Sequence, residues 1–356
     1  MTVSVSALDS SDISAECAVL ISQQTGEVIF KKNAYKHHSM ASTTKIMTSL
    51  LAAQSGKLHD EITVSKEMIL VEGTSMGLLP GDSVSLYELI YGMLLPSGND
   101  AANVTAYYLG GNVENFVKKM NAKAKEIGME NTNFVTPSGL DDEMHYSTAY
   151  DMALLGRYAV GDPVFRTVCS SKKASLSYGN PPYKRTLYNH NRLLESYKYA
   201  LGIKTGFTKK SGRCLVSYAE KDGTGLIAVT LNAPNDWNDH KLMLDFGFSK
   251  LKRFVFKPVI PEYMDVVGGN VEKFKISCEQ FEYDSLEHRN VIQKLVIDKF
   301  AYAPIKKGDK LGKVMLFLDG SYIGSTDICA AEDVGLLIQK QEKKSFFQRI
   351  KERFLK

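Results

Sequence analysis

"GRCLVSYAEKDGTGLIAVTLNA" (residues 212–233) decides the fold, because two apolar runs in it flank a short turn containing Asp-Gly. This pattern predicts an antiparallel β-hairpin. "CAVLISQQTGEVIFKK" (17–32) carries a second hairpin signal, far upstream in the chain. With helix-type sequence between the two hairpins, the expected fold class is α/β, an antiparallel sheet flanked by helices.

Apolar spacing between the hairpins predicts helices. "HHSMASTTKIMTSLLAA" (37–53) predicts a buried helix with Ser39 or Ser42 as its N-cap. "SVSLYELIYGMLLPSGNDAANVTAYYL" (83–109) predicts two helices that are interrupted at residues 96–98, a Pro-Ser-Gly sequence. Further helices are predicted over residues 113–128 and 239–254.

The character of the chain changes after about residue 256, where short β-type runs with Gly, Pro and Asp turns replace the helix signals. We therefore expect an α/β domain over residues 14–256 and a smaller all-β domain over 257–338. A basic tail helix is predicted over 339–356. Its apolar side chains fall on one helical face, which is typical of a helix lying on a membrane surface; packing on the β domain is the alternative. These side chains are Phe346, Phe347, Ile350 and Phe354.

Charge and cysteine usage exclude several function classes. The net charge is +4, and the tail segment "KKSFFQRIKERFLK" contributes six basic residues against one Glu. A basic excess confined to one tail argues against nucleic acid as a partner. The five cysteines are scattered and there is no HExxH, so we expect no disulfide framework, no metal and no cofactor. "VSA" at residues 5–7 resembles the end of a signal-peptide cleavage site, and predicts an exported protein.

Ser-x-x-Lys occurs three times, beginning at Ser42, Ser170 and Ser249, so the spacing alone identifies no nucleophile. Only the first pair opens an apolar helix; the others lie in polar or basic stretches. "GTSMG" (73–77) matches the G-x-S-x-G turn of α/β-hydrolases, but a Pro-Gly-Asp turn follows where that motif requires a helix. Ser42 is therefore the candidate nucleophile.

Ser42 and Lys45 are three residues apart and share one face of a helix. A buried lysine near a second cation loses its proton, and a neutral amine can then activate a serine hydroxyl. Lys204 in "GIKTGF" (202–207) is the candidate second cation. The sequence "SGN" at 97–99 offers an uncharged hydroxyl and a carboxamide that suit proton relay and substrate orientation.

S-x-x-K, S-x-N and K-T-G in this order resemble the signature of serine penicillin-recognising enzymes. Longer stretches resemble the D-alanyl-D-alanine carboxypeptidases, the low-molecular-mass penicillin-binding proteins. "APIKKGDKLGKVMLFLDGSYIGS" (303–325) is similar to the second domain of that family. The resemblance implies a penicillin-binding/β-lactamase-like domain followed by a β domain. The longer stretches are "MASTTKIMTSLLA", "MLLPSGNDAANVTA", "NTNFVTPSGLDDEMHYSTAYDMALL", "GIKTGFTKKSGRCLVSYA" and "DFGF".

The resemblance also implies a role for each matching residue. Ser42 resembles the nucleophile that attacks the penultimate D-alanine of a peptidoglycan stem peptide, with Lys45 as its base and Ser97 as the proton relay. The backbone N–H groups of Ser42 and Phe207 would form the oxyanion hole, and β-lactams would be covalent inhibitors. The family's location implies the outer face of the cytoplasmic membrane. Asn99 would hold the peptide's amide, and Lys204 and Thr205 would bind the terminal carboxylate. The residues that resemble the substrate-binding set are Asn99, Lys204, Thr205, Gly206 and Phe207.

Two alternatives share these motifs. A class A β-lactamase requires a glutamate in an E-x-x-x-N loop, which this sequence does not contain. The second β domain is also not needed for such an enzyme. A β-lactam or peptidoglycan sensor would be acylated without turnover, and the three motifs do not distinguish it from a carboxypeptidase.

Overall fold

The computed structural model describes residues 8–338. The chain divides into two compact units. Within the described residues, the first unit runs to Arg253 and includes Asp284–His288, and the second comprises Phe254–Tyr283 and residues 289–338. The predicted tail helix lies outside the described residues. Within residues 8–338, no helix combines the length and apolar character needed to cross a membrane.

The first unit is built on a five-stranded sheet, of order β2-β1-β9-β8-β7, in which every neighbouring pair is antiparallel. The predicted hairpin at 212–233 is confirmed as β8 and β9, and that at 17–32 as β1 and β2. The strands are β1 (Cys17–Ser22), β2 (Val28–Lys32), β3 (Glu61–Thr63), β4 (Ser83–Ser85), β5 (Lys173–Gly179), β6 (Pro182–Tyr188), β7 (Ala200–Thr208), β8 (Gly212–Lys221) and β9 (Thr224–Leu231).

Helices cover both faces of this sheet. Side chains alternate between faces along a strand, so Val19 and Ile21 of β1 pack in the larger core and Leu20 packs in the core on the opposite face. The helices are α1 (Lys45–Ala53), α2 (Leu86–Leu94), α3 (Asn99–Gly110), α4 (Val113–Ile127), α5 (Ala149–Ala159), α6 (Pro163–Cys169), α7 (Leu193–Ser196) and α8 (Asp236–Lys250).

Two details of the predicted helices are wrong. The segment at 37–53 does not begin with a serine N-cap: a short 3-10 helix, Ala41–Thr44, precedes α1, and neither helix has a side-chain cap. The closing helix ends at Lys250, because the chain turns into strand from Lys252 onward. The predicted interruption at residues 96–98 is confirmed, since α2 ends before it and α3 begins after it.

The second unit is all-β, as predicted. Its bounds differ from the predicted 257–338, since it begins at Phe254 and does not include Asp284–His288. A six-stranded sheet of order β14-β16-β17-β12-β11-β15 encloses an apolar core centred on Phe274, Val314 and Leu316. A short pair, β10 with β13, forms a separate sheet. The strands are β10 (Lys252–Phe256), β11 (Tyr263–Val267), β12 (Lys273–Cys278), β13 (Phe281–Ser285), β14 (Val291–Ile297), β15 (Phe300–Tyr302), β16 (Lys310–Leu318) and β17 (Ser321–Ala330).

Candidate active site

Ser42 lies in the tight 3-10 turn before α1, and the turn is strained. Ala41 has φ of +47°, a left-handed conformation that is unfavourable for a residue with a side chain. Thr44 Oγ1 donates to the Ala41 carbonyl at 2.8 Å. His145 Nδ1 accepts the Val135 N–H at 2.9 Å, so its proton is on Nε2, which donates to Thr44 Oγ1 at 2.8 Å. This chain of hydrogen bonds holds the turn that presents Ser42.

Lys45, the first residue of α1, is fully buried beneath Ser42. Its Nζ lies 2.9 Å from Ser42 Oγ, 2.6 Å from Asn99 Oδ1 and 2.7 Å from the Ser138 carbonyl. Asn99 Oδ1 and the Ser138 carbonyl can only accept hydrogen bonds. A neutral amine therefore gives both of its protons to them and turns its lone pair toward the Ser42 hydroxyl.

The electrostatic surroundings favour that neutral amine. Burial, and secondly the charge of Lys204, hold the pKa of Lys45 well below its ordinary value, against an opposing effect of Asp100. Lys204 is 1% exposed, and burial lowers its pKa to about 7. Its Nζ donates to the Thr205 carbonyl at 2.9 Å. Lys204, the candidate second cation, therefore contributes to the lowered pKa of Lys45, although burial is the larger cause.

Ser97 and Asn99 occupy the break between α2 and α3. Ser97 has φ of +66°, and its carbonyl accepts a hydrogen bond from Thr74 Oγ1 at 2.6 Å. Asn99 Nδ2 donates to the Glu72 carbonyl at 2.6 Å, and the Asn99 backbone N–H donates to the Thr74 carbonyl at 2.7 Å. The loop containing residues 72–74 therefore fixes the backbone of Ser97 and the side chain of Asn99.

Asp100 anchors the next part of that loop, a role that no motif in the sequence indicates. Its carboxylate is 3% exposed and accepts four hydrogen bonds from the loop. The donors are Ser75 Oγ at 2.6 Å and the N–H groups of Met76, Gly77 and Leu78 at 2.9, 3.2 and 3.1 Å. Asp100 thereby positions the segment that holds Ser97 and Asn99.

The other candidate serines have structural contacts instead. Ser75, in the G-x-S-x-G match, donates to Asp100, and irregular backbone follows it where the hydrolase motif requires a helix. Ser170 Oγ and Ser249 Oγ donate to carbonyls of their own helices, at 3.0 and 2.7 Å.

The predicted residues meet at one cleft of about 450 Å³. Ser42, Ser97, Asn99 and residues 205–207 line it, and Lys45 and Lys204 are buried. Gly206 is required by close packing: a Cβ there would lie 3.0 Å from the Ser42 nitrogen and 3.1 Å from the Met40 carbonyl. Lining residues that the sequence did not single out include Thr74, Ser138, Gly139, His190, Arg192, Arg213, Asp236 and Trp237.

The D-alanyl-D-alanine carboxypeptidase family model matches residues 2–235. The chain belongs to this family. A second model, that of the C-terminal domain of penicillin-binding protein 5, matches residues 257–336. The family resemblance of both the three motifs and the β segment is therefore confirmed.

Relatives match over nearly the whole chain. D-alanyl-D-alanine carboxypeptidase DacF of Bacillus subtilis is 35% identical, over 90% of this chain and 86% of the relative. DacC of Escherichia coli is 32% identical, over 96% of this chain and 88% of the relative.

Solved structures of the family share the fold. Penicillin-binding protein 5 of Haemophilus influenzae, at 29% identity, has a TM-score of 0.66 and covers 92% of this chain and 100% of its own. The Streptomyces K15 DD-transpeptidase, at 31% identity, has a TM-score of 0.64 and covers 67% of this chain and 98% of its own.

Proposed function

We propose that this protein is a serine D-alanyl-D-alanine carboxypeptidase that removes the terminal D-alanine of peptidoglycan stem pentapeptides through an acyl-enzyme on Ser42. Family membership supports the activity. The observation that carries the residue assignment is the contact, at 2.9 Å, between Nζ of the fully buried Lys45 and Oγ of Ser42, which lines the cleft.

Acylation begins with proton transfer from the Ser42 hydroxyl to the neutral amine of Lys45. Ser42 Oγ then attacks the carbonyl carbon of the penultimate D-alanine. The backbone N–H groups of Ser42 and Phe207 stabilise the oxyanion, because fixed donors aimed at a developing negative charge lower the barrier to its formation. Close packing of Gly206 on the Ser42 turn keeps these two donors near each other.

The tetrahedral intermediate collapses when the leaving amine of the terminal D-alanine receives a proton. Ser97 lines the cleft beside Ser42, and its hydroxyl passes the proton from Lys45 to that amine. Water, deprotonated by the same lysine, then attacks the acyl carbonyl and restores the Ser42 hydroxyl. Asn99 keeps one N–H on Nδ2 for a substrate carbonyl, because its other hydrogen bonds go to Lys45 and Glu72.

D-Alanine release tests turnover, and labelling with a fluorescent penicillin tests acylation. Wild-type protein is expected to release D-alanine from diacetyl-L-Lys-D-Ala-D-Ala, whereas Ser42→Ala loses both release and labelling. Ser170→Ala is the matched control, since Ser170 belongs to another Ser-x-x-Lys pair and donates only to its own helix. Labelling without release in the wild type would favour the sensor alternative, and labelling of Ser42→Ala would identify another serine.

We also propose that the protein works outside the cytoplasm, at the outer face of the cytoplasmic membrane, with its basic tail on the lipid surface. The support is the sequence of residues 343–356, where six basic residues accompany apolar residues whose spacing predicts one helical face. Binding to anionic vesicles should fall when residues 341–356 are removed. Equal binding by both proteins would contradict the tail's role.

A further inference from the structure

The resemblance implies that Lys204 binds the terminal carboxylate of the substrate, and its position in the structure argues against this. Lys204 is 1% exposed, and its amine is already within 2.9 Å of the Thr205 carbonyl. Because burial lowers its pKa to about 7, the amine is only partly charged at neutral pH. A carboxylate requires a cation that is charged and that faces the cleft.

The sheet register indicates where such a cation lies. Side chains alternate between faces along a strand, and residues directly opposite in an antiparallel pair share a face. Phe207 of β7 is opposite Arg213 of β8, so Thr205, Phe207 and Arg213 lie on one face of the sheet. Lys204 lies on the other face. Thr205 and Arg213 both line the cleft.

Arg213 is held in a fixed orientation. Its Nε and Nη2 donate to Asp236 Oδ1 at 3.0 and 2.9 Å, and its guanidinium lies 5.4 Å from the centre of the Trp237 ring. The Arg213 side chain is 42% exposed whereas that of Asp236 is 3% exposed. The buried carboxylate and the indole therefore orient the guanidinium, and Nη1 is not used in the contact with Asp236.

We propose that Arg213 is the carboxylate-recognition residue of the cleft, which receives the free α-carboxylate of the peptide's last D-alanine together with the Thr205 hydroxyl. Planar guanidinium groups bind carboxylates more specifically than a single amine does. Lys204 then serves the buried proton-transfer site, where it lowers the pKa of Lys45. This inference rests on the proposed carboxypeptidase function.

The test compares two peptides that differ only at the C-terminus: diacetyl-L-Lys-D-Ala-D-Ala and the same peptide ending in D-alaninamide. Arg213→Gln is expected to lower kcat/KM for the acid at least about tenfold, because a charged hydrogen bond is lost. Turnover of the amide should stay within about twofold of wild type, which shows that the catalytic centre is intact. Lys209→Gln is the control, since it removes one exposed charge from the turn between β7 and β8 without lining the cleft.

The outcomes separate the two proposals. If the wild type releases neither D-alanine from the acid nor D-alaninamide from the amide, the proposed function is wrong. If the wild type is active and Arg213→Gln has the wild-type ratio of kcat/KM for the acid to kcat/KM for the amide, the proposed role of Arg213 is wrong. If this ratio falls only in Arg192→Gln, carboxylate recognition belongs to Arg192, the other arginine of the cleft. Should Arg213→Gln fail to fold, Arg213→Lys retains a cation for Asp236 and is expected to lower the same ratio to a smaller extent.

Discussion

Lys45 Nζ and Asn99 Oδ1 are joined by a hydrogen bond of 2.6 Å inside the protein, which makes the neutrality of position 99 critical for the base. Asn99→Asp would place a carboxylate against the amine, raise the pKa of Lys45 and keep it protonated. We expect penicillin acylation at pH 7 to fall about 100-fold, the scale of general-base catalysis. Stopped-flow acylation kinetics measure this.

Asn112→Asp is the matched control for that substitution. Asn112 caps α4 and accepts the Asn115 N–H at 2.8 Å, so the same new charge is introduced away from Lys45 and at a favourable helix N-terminus. Its acylation rate should equal that of wild type. A wild-type acylation rate of the Asn99→Asp protein at pH 7 would contradict the assignment of Lys45 as a neutral base.

Lys204→Gln should move the acid limb of the acylation pH profile to higher pH. The charge of Lys204 lowers the pKa of Lys45, so its removal lets that pKa rise, and deprotonation of the base then requires a higher pH. Acylation rates between pH 5 and 10 provide the profile. If the midpoint pH of the acid limb stays the same or falls, the charge of Lys204 does not lower the pKa of Lys45.

Asp100→Asn should move the same limb in the opposite direction, because Asp100 opposes the lowering of the Lys45 pKa. The plateau rate should also fall, since the carboxylate accepts the N–H groups of Met76, Gly77 and Leu78 and an amide nitrogen cannot accept them. The pH profile gives the plateau rate, and faster limited proteolysis of the 72–78 loop would show that the loop has lost its anchor. A shift to higher pH would be inconsistent with the proposed electrostatics.

The sequence predicted the parts of the site that depend on short-range order. The contact of Ser42 with Lys45 follows from a spacing of three residues, and the hairpins follow from their turns. The Ser138 carbonyl that binds Lys45 is 93 positions away in the chain, and no local pattern reveals it. The serine N-cap was predicted wrongly for the same reason, since the left-handed Ala41 is held by contacts with distant residues such as Gly139.

Gly139→Ala should disrupt the Ser42 turn. Gly139 has φ of +86°, and a Cβ there would lie 1.9 Å from the Ala41 carbonyl oxygen, so that carbonyl would have to move. We expect a loss of about 3 kcal/mol in the free energy of unfolding, from overpacking and left-handed strain together, and weaker penicillin labelling. Urea denaturation and a labelling time course measure the two effects.

Gly128→Ala is the control that measures the cost of left-handed backbone strain without a steric clash. Gly128 has φ of +90° and no atom within 4 Å of the position that a Cβ would take, so only the backbone penalty of about 1 kcal/mol applies. This variant should label as the wild type does. Equal losses of stability in both variants would show that the contact with Ala41 is unimportant.

Acid should destabilise the first unit through His145. Burial lowers the pKa of His145 to about 4, from an ordinary 6.5. Between these values the unfolded chain binds more protons than the folded one, so the free energy of unfolding falls as the pH falls from about 6.5 to 4, by up to about 3 kcal/mol.

His145→Gln removes this contribution. Urea denaturation at pH 7 and 4.5 should therefore show a smaller difference in the free energy of unfolding than in the wild type. Some dependence on pH should persist in the variant, because burial also lowers the pKa of His240, to about 3. The same difference in both proteins would contradict a buried, neutral His145, and with it the acceptance of the Val135 N–H by Nδ1, because both nitrogens of a protonated ring are donors.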